Sequence, residues 1–121
     1  VGEEAYRRYG DVMAERRFRK LSDDDAAPAE LRAKSLAYLA TFALEASRFD
    51  DASRTLERVL ATTKDPALQE RAELRLADVE IGRGDHPKAA ARLKAFLEKH
   101  PQSPLKPQAE GLLRLLDSPR P

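Results

Sequence analysis

Between Ala33 and Pro101 the apolar and small residues fall into two series that superpose when the sequence is slid by 37 residues. The slide lays Leu39 on Leu76, Ala40 on Ala77, Phe42 on Val79 and Leu44 on Ile81, then Ala52 on Ala89, Leu56 on Leu93, Val59 on Phe96 and Leu60 on Leu97. The polar positions between them differ freely. A packing unit repeats in this way when only its buried face is constrained. Within each series the spacing follows a helical period, interrupted once by a turn signal, so each unit is predicted to be two helices joined by a tight turn.

Start and stop signals divide the chain further. In the run from Val1 to Leu21, Ala5, Tyr9, Val12 and Met13 fall at i, i+4, i+7 and i+8. Ala52, Leu56, Val59, Leu60 and Ala89, Leu93, Phe96, Leu97 share that spacing, so residues 1–21 read as the second helix of a partial repeat or as an N-terminal capping helix. Ser22 to Ala27 is a break. Its Asp23-Asp24-Asp25 lacks the spaced ligands and glycine of a calcium loop. It reads as a solvated turn that places negative charge before a helix opened by Pro28.

Ala29 to Ser47 is expected to be the longest helix, with Leu36, Leu39, Ala40, Ala43 and Leu44 as its packing stripe and Phe42 on a flank. Asp50 or Asp51 is the expected N-cap of the next helix, which runs to about Thr63. Asp65-Pro66 starts another, which ends at Gly82 to Gly84. His86-Pro87 opens a helix that stops at His100-Pro101. Ser103-Pro104 caps the last, carried by Ala109, Leu112, Leu113, Leu115 and Leu116, and Ser118 to Pro121 is expected to fray. The predicted fold is all-α, with about six helices in one domain, 1–121. Residues 29–63 form repeat 1, 66–99 repeat 2, and 104–117 a C-terminal capping helix.

Composition supports helix. Ala, Leu, Glu, Lys and Arg dominate, while Val, Ile and Thr are too few to build a sheet. The 22 basic and 21 acidic residues are mixed along the chain, so no basic stripe points to nucleic acid. Absence of cysteine excludes thiol chemistry and disulfides and fits either redox compartment. No apolar run approaches the ~20 residues of a membrane span, and a start at Val1 leaves an upstream targeting segment open.

Catalytic signals are sparse. His86 and His100 each precede a proline at a helix boundary, with no i, i+4 partner suited to zinc. Gly82-Arg83-Gly84 has no preceding strand and no following Gly-Lys-Ser/Thr, so it is not a phosphate loop. The expectation is no enzyme, no cofactor and no metal.

The repeat resembles the tetratricopeptide repeat family. Ala40 and Ala77 stand at the small position of its first helix, and Ala52 and Ala89 at the alanine of its second. Leu56 and Leu93 supply the following bulky apolar residue, Phe49 the aromatic between helices, and Pro101 the closing proline. Glu73 replaces a usual large apolar residue, Glu80 a usual aromatic, and His86 stands where Phe49 does in the first unit. The stretch Phe96 to Pro104, with its Pro101-Gln102-Ser103-Pro104 joint and following Ala109, is similar to joints of bacterial envelope repeat proteins. Those include the Tol-associated division coordinator and the β-barrel assembly lipoprotein. The resemblance implies a right-handed α-solenoid and favours the periplasm or cell envelope.

Stacked helix pairs line a concave face with their first helices. In the repeat frame the inner positions free of packing are Lys34, Tyr38, Thr41 and Glu45, then Arg71, Arg75 and Asp78, then Gln108 on the last helix. Lys34, Arg71 and Arg75 form a basic strip suited to an acidic segment or a C-terminal carboxylate. Family members that clamp such carboxylates use asparagines, and this chain has none. The expected function is a scaffold binding a peptide or partner helix in the groove. The alternative is self-association through exposed repeat ends, motivated by the apolar last helix.

Overall fold

Strong helix formers fill nearly every exposed position, so the architecture is decided by where helices are forced to start and stop. The computed structural model describes residues 3–117 as six helices: α1 Glu3–Ser22, α2 Ala29–Glu45, α3 Phe49–Thr62, α4 Pro66–Gly82, α5 His86–Lys99 and α6 Lys106–Asp117. Among the described residues there is no strand. The side chains expected to pack at Ala5 and Tyr9, and the tail from Ser118, lie outside the described residues.

The α4 cap is the one the sequence announces, and α5 carries one of the same kind. Asp65 accepts a hydrogen bond from the Ala67 amide at 3.1 Å and Asp85 accepts one from Lys88 at 3.3 Å, each followed by a proline in the first turn. Two helix ends close identically. The Arg48 amide bonds to the Ala43 carbonyl at 2.8 Å, and the Asp85 amide to Glu80 at 2.9 Å, around Ser47 and Gly84 at φ 58° and 80°. Gly84 adopts this conformation without steric cost, whereas Ser47 is strained there by about 1 kcal/mol.

Three boundaries differ from expectation. The longest helix is α1, not α2, because α2 stops at Glu45 ahead of the left-handed Ser47, while α1 runs through Ser22, whose hydroxyl bonds back to the Arg19 carbonyl at 3.0 Å. Neither Asp50 nor Asp51 caps α3, which begins at Phe49 after Arg48 with no side-chain cap. Both carboxylates are engaged elsewhere, Asp50 by Arg83, and Asp51 by Arg48 at 3.6 Å and the Thr55 hydroxyl at 3.4 Å. The last helix begins at Lys106, since the Ser103 hydroxyl accepts from the Leu105 amide at 3.1 Å and holds residues 104–105 in a turn.

Each helix packs mainly on its neighbours in sequence, and α2 also touches α4. One core cluster joins Ala33, Leu36, Leu39, Ala40 and Ala43 to Ala52, Leu56, Val59, Leu68, Ala72, Leu76 and Val79. A second joins Leu74 and Ala77 to Leu93, Phe96 and Ala109. Ala33, Ala52, Ala77, Ala89 and Ala109 have no exposed surface, as expected where helix axes approach to ~8–10 Å. Sliding by 37 once more lays Leu68, Ala72, Leu76 and Val79 on Leu105, Ala109, Leu113 and Leu116. The helix read as a cap thus repeats the buried face of α4.

The two acidic departures from the repeat are paired. Glu73 accepts from Lys99 Nζ at 3.0 Å and lies 2.9 Å from His100 Nε2, whose ring also packs on Phe96. Glu80, 5% exposed, accepts from Arg92 Nε, while its Oε2 is buried without a partner among the described residues. Both pairs tie α5 to α4. At the end of α4, a Cβ added to Gly82 would clash with the Phe49 ring, so the ring rests on the glycine backbone.

Glu30 clamps the start of α2 to the α3–α4 turn. Its carboxylate accepts from the Thr63 hydroxyl at 2.6 Å and the Lys64 amide at 2.8 Å. The amide bond and then the hydroxyl hold its pKa below the ordinary 4.5. A group whose folded pKa is depressed adds stability that is present above its unfolded pKa and lost as pH falls through the folded value. The melting-temperature difference between the native chain and Glu30→Gln is therefore expected to be largest near neutral pH and to vanish as pH falls below that of an ordinary carboxylate. A constant difference down to pH ~2, where every carboxylate is protonated, would contradict the clamp.

The alanine contacts give a second test. Ala52→Arg or Ala89→Arg should cost roughly 3 kcal/mol or more, because a long charged side chain enters a filled helix contact. Glu57→Arg, on the exposed face of α3, should change little. Chemical denaturation of the three variants distinguishes these outcomes.

Candidate functional site

An open groove of about 540 Å³ runs between the first helices of the two units. Its floor is apolar and small, formed by Ala37, Ala40 and Leu44 of α2, Leu56 of α3, and Leu68 and Ala72 of α4. Short side chains on the floor follow from the packing, since the positions that let the helices approach also leave room above them. The rim is polar.

Helical spacing sets the rim. Lys34, Tyr38 and Thr41 fall at i, i+4 and i+7 on α2, and Arg71 and Arg75 at i and i+4 on α4. All five line the groove. Of the other inner-face positions, Glu45 and Gln108 are exposed and lie outside the groove lining, and Asp78 is half-buried one turn beyond Arg75. The Thr41 hydroxyl bonds to the Ala37 carbonyl at 3.1 Å, which leaves it an acceptor toward the groove.

The rim is electropositive. Arg71 and Lys34 form no ion pair with the described residues, although Lys34 sits near enough to Glu30 to lower its pKa slightly. Arg75 Nη1 lies 3.9 Å from Asp78 Oδ2, a long contact between part-exposed groups. Burial, opposed by Arg75, raises the Asp78 pKa above its ordinary 3.8. Among the described residues of the lining Asp65 is the one acid, and it is already engaged as the α4 cap.

Sequence reasoning missed one aromatic contact. Phe18 of α1 stacks on Tyr38, with ring centroids 4.6 Å apart and planes 13° from parallel, and Phe42 lies 6.3 Å from Phe18. Tyr38 nevertheless stays 56% exposed. The signal was available, because Ala14, Phe18 and Leu21 continue at i, i+4 and i+7 after Met13. Stacking fixes the Tyr38 ring at the rim with little rotamer freedom left to lose on contact.

A second depression, at the helix-pair turns, is lined by Ser47, Arg48, Phe49, Asp50, Asp51, Arg54 and Arg83. Its charges are largely consumed internally: Arg83 pairs with Asp50, and Arg48 with Asp51 and with Glu15 at 3.1 Å. Among the described residues no group of three or more His, Cys, Asp or Glu side chains is placed to hold a metal ion. No helix among them is long and apolar enough to cross a membrane.

The sequence model of the tetratricopeptide repeat-like domain matches residues 4–110. No curated protein and no solved structure matches the chain significantly. With the family model running from α1 through α5 into the first turn of α6, and with alanines buried at the repeat's small positions, the chain belongs to the tetratricopeptide repeat-like domain family.

Proposed function

We propose that the protein is a non-enzymatic interaction scaffold that binds a peptide or partner helix in the groove between α2 and α4. Membership of a repeat family whose domains serve as interaction scaffolds supports the general reading. The observation that carries the specific one is the convergence of Lys34, Arg71, Arg75 and the stacked Tyr38 around an apolar floor. Such a surface accepts an apolar anchor below and carboxylates above, a combination suited to an acidic segment. The similarity of the Pro101-Gln102-Ser103-Pro104 joint to envelope repeat proteins supports placing the partner in a bacterial envelope complex.

The test uses affinity capture from the native cell with the full-length protein as bait. Lys34→Glu, Arg71→Glu and Arg75→Glu together should abolish capture of the specific partner while leaving the helical circular-dichroism signal and melting temperature near native. Retained capture by the triple variant would move the binding surface elsewhere.

A second reading is supported by α6. Leu115 is 72% exposed, beside the half-buried Leu112, Leu113 and Leu116, and an apolar end face favours pairing of copies. On this reading sedimentation detects a dimer that Leu115→Lys disrupts. A monomer at high concentration would remove it.

A further inference from the structure

Position 78 is poorly suited to stability. In the first unit its counterpart 37 residues earlier is Thr41, whose hydroxyl is satisfied by its own helix. In the second unit the position holds a half-buried carboxylate. Its one ion-pair partner among the described residues is Arg75, at 3.9 Å, too far for a hydrogen bond. Arg75 in turn replaces the uncharged Tyr38 of the first unit. The second unit therefore adds a cation to the groove together with an anion that holds it loosely. Residues that break the local rules of packing without an evident gain cluster where function requires them.

We propose that Asp78 is a built-in competitor for Arg75, occupying the guanidinium in the free protein and yielding it to a carboxylate of an acidic segment bound in the groove. This rests on the groove reading above. A loose pair is what such a role requires, because a tight bidentate pair would exclude the incoming carboxylate. The competitor sets specificity: a ligand with only apolar contacts leaves the pair intact, whereas one bearing a well-placed carboxylate exchanges one ion pair for a better one. The raised pKa of Asp78 agrees with a carboxylate that its surroundings do not satisfy.

The test measures binding of a fluorescein-labelled acidic hexapeptide of glutamate and leucine to the full chain by anisotropy at physiological salt. Arg71→Glu should weaken binding, which checks the groove itself. Asp78→Asn should tighten it by about threefold to fivefold, the scale on which a part-exposed ion pair competes. Glu57→Gln makes the same change in net charge on the far face and should leave affinity within about 1.5-fold, because salt screens distant exposed charges. In an Arg75→Gln background, Asp78→Asn should have no further effect, since the cation for which it competes is gone.

Asp78→Asn that fails to tighten binding, or tightens it equally without Arg75, overturns the proposal while a sensitive Arg71 leaves the groove reading standing. Binding that is absent, or indifferent to Arg71→Glu, overturns both. Asp78→Asn should also raise the melting temperature at neutral pH, an effect that fades on acidification because the native carboxyl then becomes neutral. That measurement shows the variant folds and does not stand in for the affinity result.

Discussion

The structure depends on contacts between helices through side chains no larger than a methyl group. Ala33, Ala40 and Ala43 on α2, Ala52 on α3, Ala72 and Ala77 on α4, Ala89 on α5 and Ala109 on α6 are all essentially buried. At these points backbone meets backbone closely, and the larger residues Leu36, Leu56, Val59 and Leu93 fill the spaces between. The groove is a by-product of the same arrangement. Alanines that draw α2 and α4 toward α3 leave a shallow apolar channel, and the flanking turns of α2 and α4 project their longer polar side chains over it.

Much of this was legible in the sequence because packing repeats leave a trace at fixed separation. The 37-residue offset placed Ala40 with Ala77 and Ala52 with Ala89, and the structure buries all four. The same offset brought Lys34, Tyr38, Thr41, Arg71 and Arg75 to one side, and these residues line one groove. Less legible were features that depend on a partner distant in sequence. Asp50 and Asp51 looked like caps, since local pattern alone assigns an acid before a helix to the N-terminus. Arg83 claims Asp50 from 33 residues away, which nothing local announces, while Asp51 is taken by its close neighbours Arg48 and Thr55. The Phe18–Tyr38 stack escaped notice for a related reason, because α1 does not follow the 37-residue frame.

Glu73 and Glu80 illustrate how a repeat tolerates charge at core positions. Each replaces a bulky apolar residue of the family pattern, and each is matched by a cation on α5, joined for Glu73 by His100 just past its end. Desolvating a carboxylate costs several kcal/mol unless paired, so either glutamate without its partner would be destabilising. Together they hold α5 on α4 in one register, a role that featureless leucine contacts perform less selectively. The one oxygen left over, Oε2 of Glu80, marks where that substitution is least completely compensated.

The succession of contacts, each helix resting on the one before it, has a kinetic corollary. Pairings between chain neighbours need only short loops to close, so the entropy lost before the first stabilising contact is small. Assembly can nucleate in the α2–α3 or α4–α5 hairpin and spread to the neighbouring helices. Amide protons in α3 and α4, each packed on helices at both sides, would thus be among the slowest to exchange with solvent.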